Sequence, residues 1–229
     1  MSGRANGLLV KICGQTSRAG AELCAGLGAD MLGFIFHAAS PRNVDPALPA
    51  SLDLPGVLKV GVFVAQTPGQ VLEIMRAGRL DIAQLHGGQS TAFCRELAEA
   101  LGPERVMKVV WPEKAAGLED FQAELDRFAP CCGRFLADAG KDGGGHGRGI
   151  AASATDLLVA ASFPRPWLLA GGLGPGTLAP ALARFGAAGC LPAGLDLNSG
   201  VESAPGVKDE TLLRQAFAEI DTLCAAKNT

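Results

Sequence analysis

The chain is 229 residues long, 48% hydrophobic and only 19% charged, with a formal net charge of −3 and a pI near 5.6. So little charge argues against a solvated linker or a coiled coil, and the acidic balance gives no support to nucleic-acid binding through a basic face. Glycine and proline reach about a fifth of the chain, short of the roughly 25–30% that marks low-complexity disorder.

Eight short aliphatic runs recur along the chain: Leu8 to Cys13, Met31 to Phe36, Val57 to Phe63, Asp81 to Leu85, Arg105 to Val110, Arg134 to Asp138, Pro166 to Ala170 and Ala193 to Leu197. They are apolar almost throughout rather than alternating, as strands of a parallel sheet buried on both faces are. Helical patterns separate most of them. The first spans Ser17 to Gly28, with Ser17 as N-cap and Gly28 as the stop. Thr67 to Gly78 follows, with Thr67 as N-cap and Pro68 at the first helical position. Ser90 to Leu101, Leu118 to Ala129, Ser153 to Ala161, Pro175 to Phe185 and Lys208 to Cys224 complete the series. About eight such alternations in one chain of this size predict an α/β fold, a single-domain (β/α)8 TIM barrel over residues 1–229. The Gly-rich stretch from Gly140 to Gly149 lies between a strand and a helix and reads as a functional loop rather than a boundary.

The seven cysteines are Cys13, Cys24, Cys94, Cys131, Cys132, Cys190 and Cys224. The number is odd and no Cys-x-x-Cys pair occurs, which speaks against a disulfide framework or a zinc knuckle. Three histidines without His-x-x-x-His spacing add nothing to a metal reading. No targeting segment or membrane-length apolar stretch is visible, so the expectation is a cytoplasmic protein with no metal and no membrane partner.

In a barrel of this class the active site lies at the carboxyl ends of the strands. The polar and reactive residues fall there: Cys13 after the first strand, His37, Ser40 and Arg42 after the second, Gln84 and His86 at the fourth, and Asp138 at the sixth. Gly171 and Gly172 follow the seventh, and Asp196, Asn198, Ser199 and Gly200 close the eighth. Each also has a plainer reading. Cys13 could be a small core hydrophobe, Asp138 a loop ion pair or helix cap, and Arg42 a surface charge; His86 reads best as a structural histidine. Two loops look built for phosphate. Ala170-Gly171-Gly172-Leu173-Gly174-Pro175 runs from a strand into a helix, where bare backbone N–H groups and the helix dipole favour an anion. Asn198-Ser199-Gly200 supplies a second set of donors after the eighth strand. Gly171 to Gly176 has P-loop spacing, but Thr177 stands where that motif needs lysine. Gly147 to Ala152 fits G-x-G-x-x-A, but no acidic residue ends the next strand to hold a ribose.

Taken in order, Lys11-Ile12-Cys13-Gly14, Ser40-Pro41-Arg42, Gln84-Leu85-His86-Gly87, Ala170-Gly171-Gly172-Leu173 and Asp196-Leu197-Asn198-Ser199-Gly200-Val201-Glu202 with Pro205-Gly206-Val207-Lys208-Asp209 make the chain resemble the phosphoribosylanthranilate isomerases of tryptophan biosynthesis. The resemblance runs from Lys11 to Asp209. It implies an aldose–ketose isomerase without a cofactor, acting on a small phosphosugar as monomer or homodimer. It makes Cys13 the general base and Asp138 the general acid of an Amadori rearrangement, with Arg42 on the anthranilate carboxylate. Phosphate falls to Gly171, Gly172, Ser199 and Gly200, with Gly144 and Gly145 from the sixth loop, and Asp196 holds the ribose side. That loop departs from the family pattern: His146 stands where a small hydroxyl residue is usual, and the Phe-Asp-Trp trio is absent. A sister isomerase or epimerase on another phosphosugar, and a non-catalytic phosphosugar-binding barrel, are the alternatives.

Overall fold

A computed structural model describes residues 7–139 and 150–225. Eight parallel strands close into a barrel in sequence order: β1 (Leu9–Ile12), β2 (Met31–Phe36), β3 (Leu58–Phe63), β4 (Ile82–Leu85), β5 (Val106–Val110), β6 (Arg134–Asp138), β7 (Trp167–Ala170) and β8 (Gly194–Leu197). β1 pairs with β8 through Leu9↔Gly194, Val10↔Leu195, Lys11↔Asp196 and Ile12↔Leu197, and this seam closes the ring. The expected strands lie within one residue of these bounds. Cys13 sits one residue past β1, where its N–H still donates to the Leu197 carbonyl at 2.8 Å.

Strand side chains alternate between the barrel interior and the layer under the helices. Met31, Val60, Ile82, Met107, Val109, Leu136, Leu168 and Ala170 form the inner cluster. Val10, Ile12, Phe34, Phe63, Phe135 and Leu195 face outward and pack in the larger cluster beneath the helices. This double burial explains why the strands read as continuous apolar runs.

The helices follow the predicted order, with caps where the sequence places them. α1 (Arg18–Gly26) has the Ser17 hydroxyl accepting from Gly20 N–H. α3 (Pro68–Ala77) starts with a full capping box between Thr67 and Gln70. Ser90 caps α4 (Thr91–Leu101) by accepting from Phe93 N–H. α5 (Leu118–Phe128) and α6 (Ala152–Ala160) complete the middle of the barrel.

Three features depart from expectation. A five-residue helix, α2 (Ala47–Ser51), fills the β2–β3 connection; Pro49 within it, Pro46 at its N-cap and its short length leave no helical period to read. α7 (Leu178–Ala187) begins three residues later than expected, because Thr177 closes a turn with Gly174: its N–H donates to the Gly174 carbonyl at 3.0 Å while its hydroxyl accepts from Gly174 N–H at 2.9 Å. Lys208 belongs to a small antiparallel hairpin of β9 (Glu202–Ala204) and β10 (Val207–Lys208), and the final helix, α8 (Glu210–Ala225), starts beyond it.

Replacing the wholly buried Phe135 by alanine is expected to lower unfolding free energy by about 3–5 kcal/mol, whereas Leu118→Ala, at a position 41% exposed, stays within about 0.5 kcal/mol of the parent. Urea titration of both variants checks the contrast.

Candidate functional site

Lys11 lies on β1 and Cys13 just past its end, two residues apart, so both point to the same, interior face. Asp196 is the register partner of Lys11 across the seam, and Lys11 Nζ donates to its Oδ1 at 2.7 Å. Gly33 on β2 makes the room. A Cβ there would come within 2.7 Å of Cys13 Sγ and 3.1 Å of Lys11 Nζ. Lys11 is wholly buried and Cys13 nearly so. Burial pushes the Lys11 ammonium toward losing its proton, but Asp196 and Cys13 outweigh it and hold its pKa above the ordinary value. Burial lifts the Cys13 thiol above its usual range, and Lys11 is the first group to oppose that rise.

Asp138 stands at the carboxyl end of β6, its residue 8% exposed. His86, expected to be structural, faces it: Nε2 lies 3.7 Å from Asp138 Oδ2. The Gln84 side-chain amide is 3.1 Å from His86 Nδ1, and Trp111 meets the imidazole edge-on at 5.6 Å. If the amide nitrogen donates, Nδ1 is the acceptor and Nε2 carries the hydrogen toward Asp138. Burial first, then Lys11, Lys108 and Lys114, lower the His86 pKa to about 4, so the ring is neutral near pH 7.

Arg42 follows β2 and is anchored before any ligand arrives. Its Nη2 donates to Glu202 Oε2 at 2.6 Å, and its Nε is 3.1 Å from both carboxylate oxygens. Glu202 also takes Lys208 Nζ at 2.7 Å, and Lys208 reaches Asn198 Oδ1 at 3.2 Å. Glu202 is buried with these partners. Burial alone would raise its pKa, but Arg42 and Lys208 together bring it below the usual carboxylate range. The hairpin creates this cluster by pairing Lys208 with Glu202 in register.

The loops after β7 and β8 touch backbone to backbone. A Cβ on Gly174 would lie 2.5 Å from the Gly200 carbonyl oxygen, so both positions need glycine to let the chains meet. Ser199–Val201 forms a single 3-10 turn. Gly171, Gly172 and Ser199 line the same cavity as Cys13, Arg42, Asp138 and Asp196, with a volume of about 500 Å³. Gly200 is set one step back, against Leu173 and Gly174. The glycine loop does not lead directly into α7 as expected, since the Gly174–Thr177 turn intervenes. Gly144 and Gly145 lie outside the described residues, as do His146 and Arg148.

Of the catalytic and substrate-binding residues expected from sequence within the described segments, Cys13, Arg42, Asp138, Gly171, Gly172, Asp196 and Ser199 thus line one cavity and Gly200 does not. Lys11, Glu202 and Lys208 gained no role from sequence. A lysine at the interior parity of an otherwise apolar strand, two positions before a strand-end cysteine, is the signal that could have found Lys11. Among the described residues no group of three His, Cys, Asp or Glu side chains could hold a metal ion, and no helix is long and apolar enough to cross a membrane. The cavity offers a thiol, carboxyls, the Arg42 guanidinium and glycine-rich backbone, which suits proton transfer on a substrate bearing anionic groups.

Residues 10–219 match the family model described as N-(5'phosphoribosyl)anthranilate (PRA) isomerase. The N-(5'-phosphoribosyl)anthranilate isomerase of Maridesulfovibrio salexigens is 51% identical over 213 residues, covering 93% of this chain and 98% of the relative. A crystal structure of phosphoribosyl anthranilate isomerase from Thermus thermophilus superposes with a TM-score of 0.76 at 34% identity, covering 94% of this chain and all of that one. Another structure of such an isomerase, in complex with reduced 1-(o-carboxyphenylamino)-1-deoxyribulose 5-phosphate, gives a TM-score of 0.70 at 28% identity over 92% of this chain and 96% of that one.

Two outcomes follow from the geometry. Gly174→Ala must separate the two loops and is expected to cost about 1–3 kcal/mol of stability and to weaken inhibition by inorganic phosphate, read by chemical denaturation and by phosphate titration. His86 binds a proton in the unfolded chain near pH 6.5 but in the folded chain only near pH 4, so its contribution is complete above about pH 6.5 and is lost as pH falls toward 4, to a total of about 3 kcal/mol. Comparing His86→Gln with the parent across that window isolates the term; a histidine NMR titration with its midpoint above 6 would contradict it.

Proposed function

Because the chain belongs to the N-(5'-phosphoribosyl)anthranilate isomerase family, we propose that its cavity performs the family's Amadori rearrangement with Cys13 as general base and Asp138 as general acid. The activity is an aldose-to-ketose isomerisation in tryptophan biosynthesis. It converts N-(5'-phosphoribosyl)anthranilate to 1-(2-carboxyphenylamino)-1-deoxyribulose 5-phosphate.

The observation that carries the division of roles is that a thiol from the end of β1 and a carboxyl from β6 line one cavity with the glycine loops of β7 and β8. Phosphate held by backbone N–H groups of Gly171, Gly172, Ser199 and Gly200 would tether the sugar at that side. The Asp138 carboxyl gives its proton to the furanose oxygen as the C1–O bond breaks, and the nitrogen lone pair forms the C1=N iminium. The Cys13 thiolate then takes the hydrogen on C2, and its bonding pair becomes C1=C2 while nitrogen regains its lone pair. The enolamine becomes the ketone as C1 gains a proton and the C2 hydroxyl loses one.

Each role has a physical requirement. An acid must arrive protonated, and burial favours the neutral form of a carboxyl. The neutral His86 brings no positive charge to hold Asp138 ionised. The substrate's own carboxylate or phosphate adds a negative field that acts in the same direction. Glu202 holds two nitrogens of Arg42, which fixes the guanidinium plane at the cavity for the anthranilate carboxylate. Asp196 stands on the ribose side, with Lys11 on one of its oxygens. Cys13, Cys24, Cys94, Cys131, Cys132 and Cys190 are free thiols, which suits a reducing compartment and supports a cytoplasmic location.

In an assay following the fluorescent anthranilate adduct, Cys13→Ala and Asp138→Asn are each expected to lower kcat by about 10²–10⁴-fold while inorganic phosphate still inhibits. Arg42→Ala is expected to act mainly on KM. An Asp138→Asn enzyme within tenfold of the parent would remove the carboxyl from the mechanism.

A further inference from the structure

The proposed base sits in a place that disfavours its active form. A thiolate buried under the barrel mouth loses hydration, and burial raises the Cys13 thiol. Some group must offset this, and among the described residues the charged groups around the sulfur are few. Lys11 comes from β1 and Asp196 from β8; Lys208 from β10 also acts on it electrostatically. Arg42 and Glu202 complete the surroundings through the cluster that holds Lys208.

These cations are not equivalent. Lys208 is committed to Glu202 at 2.7 Å and Asn198 at 3.2 Å, and Arg42 to Glu202. Lys11 shares a strand face with Cys13, and the absent Gly33 side chain leaves Sγ and Nζ converging on one point, 2.7 and 3.1 Å from it. Asp196 accepts from Lys11 through Oδ1 and sets where the ammonium lies. An ammonium has three hydrogens, so one spent on Asp196 leaves others for the sulfur.

We propose that Lys11 is the positioning residue of the base: anchored by Asp196 across the β1–β8 seam, its buried ammonium faces Cys13 and sustains the thiolate that takes the C2 hydrogen. This deepens the reading of Cys13 as base and rests on it. Asp196 thereby has a second task besides facing the ribose.

Thiolate formation can be read without substrate, by the pH dependence of iodoacetamide alkylation at Cys13, resolved from the other six cysteines by peptide mass spectrometry. In Lys11→Met the alkylation midpoint is expected to rise by at least one pH unit, which is about a tenfold slower reaction at pH 7. The acid limb of kcat/KM should rise by a similar amount. In Lys11→Arg, which keeps a cation on the same strand face, the midpoint should rise less than in Lys11→Met. Lys208→Met should also move it less than Lys11→Met. Circular dichroism establishes that each variant is folded; if Lys11→Met is not, Lys11→Gln is read in its place. A midpoint unchanged in folded Lys11→Met or Lys11→Gln, raised as far in Lys11→Arg as in Lys11→Met, or moved more by Lys208→Met, would overturn the assignment. Failure of the base reading itself looks different: Cys13→Ala would stay active whatever the alkylation midpoints.

Discussion

The ion pair between Lys11 and Asp196 occupies the seam where the first and last strands meet. Its value does not lie in stability. Two charges removed from water repay their desolvation only when geometry is close and other hydrogen-bonding capacity is used, and an apolar pair of similar volume often serves a fold as well. Here the pair interrupts a barrel interior that is otherwise floored by Met31, Val60, Ile82, Met107, Leu136 and Leu168. It stands directly beneath the thiol, and Gly33 keeps the space around both open. A charge pair placed there fixes an electric field at the sulfur in a region water cannot screen.

The site above that floor is arranged by charge. Lys11, Arg42 and Lys208 are set against the buried carboxylates of Asp196 and Glu202, each cation held by a carboxylate. Such pairing lets positive charge stay at the mouth without a ligand. Asp138 comes from β6, where a neutral imidazole held by Gln84 and Trp111 faces it. At the thiol, the Lys11 ammonium opposes the effect of burial, so the two proton-handling groups sit among different neighbours within one cavity.

The β7 and β8 loops contribute something different. Their close approach at Gly174 and Gly200 has no side chain in it, and what they present to the cavity is backbone. Donors fixed in this manner need little reorganisation when an anion arrives. The rigid loops on one side and the paired charges on the other therefore divide the labour between holding a substrate and handling its protons.

Sequence by itself determined the barrel, the bounds of its strands to within a residue, the N-caps Ser17 and Thr67, and the end of the barrel at which chemistry gathers. These are local properties: aliphatic runs of strand length, Ser and Thr caps, and polar residues at strand ends are written in consecutive positions. It also marked Cys13, Arg42, Asp138 and the glycine loops, because reactive residue types at strand ends stand out. Only the tertiary structure decided that His86 faces Asp138, that Glu202 and Lys208 clamp Arg42, and that Lys11 meets Asp196 beside the sulfur. Those partners lie between 6 and 185 residues apart. What joins them is closure of the barrel, the register of its seam and the β9–β10 hairpin, and no local pattern carries the register between the first strand and the eighth.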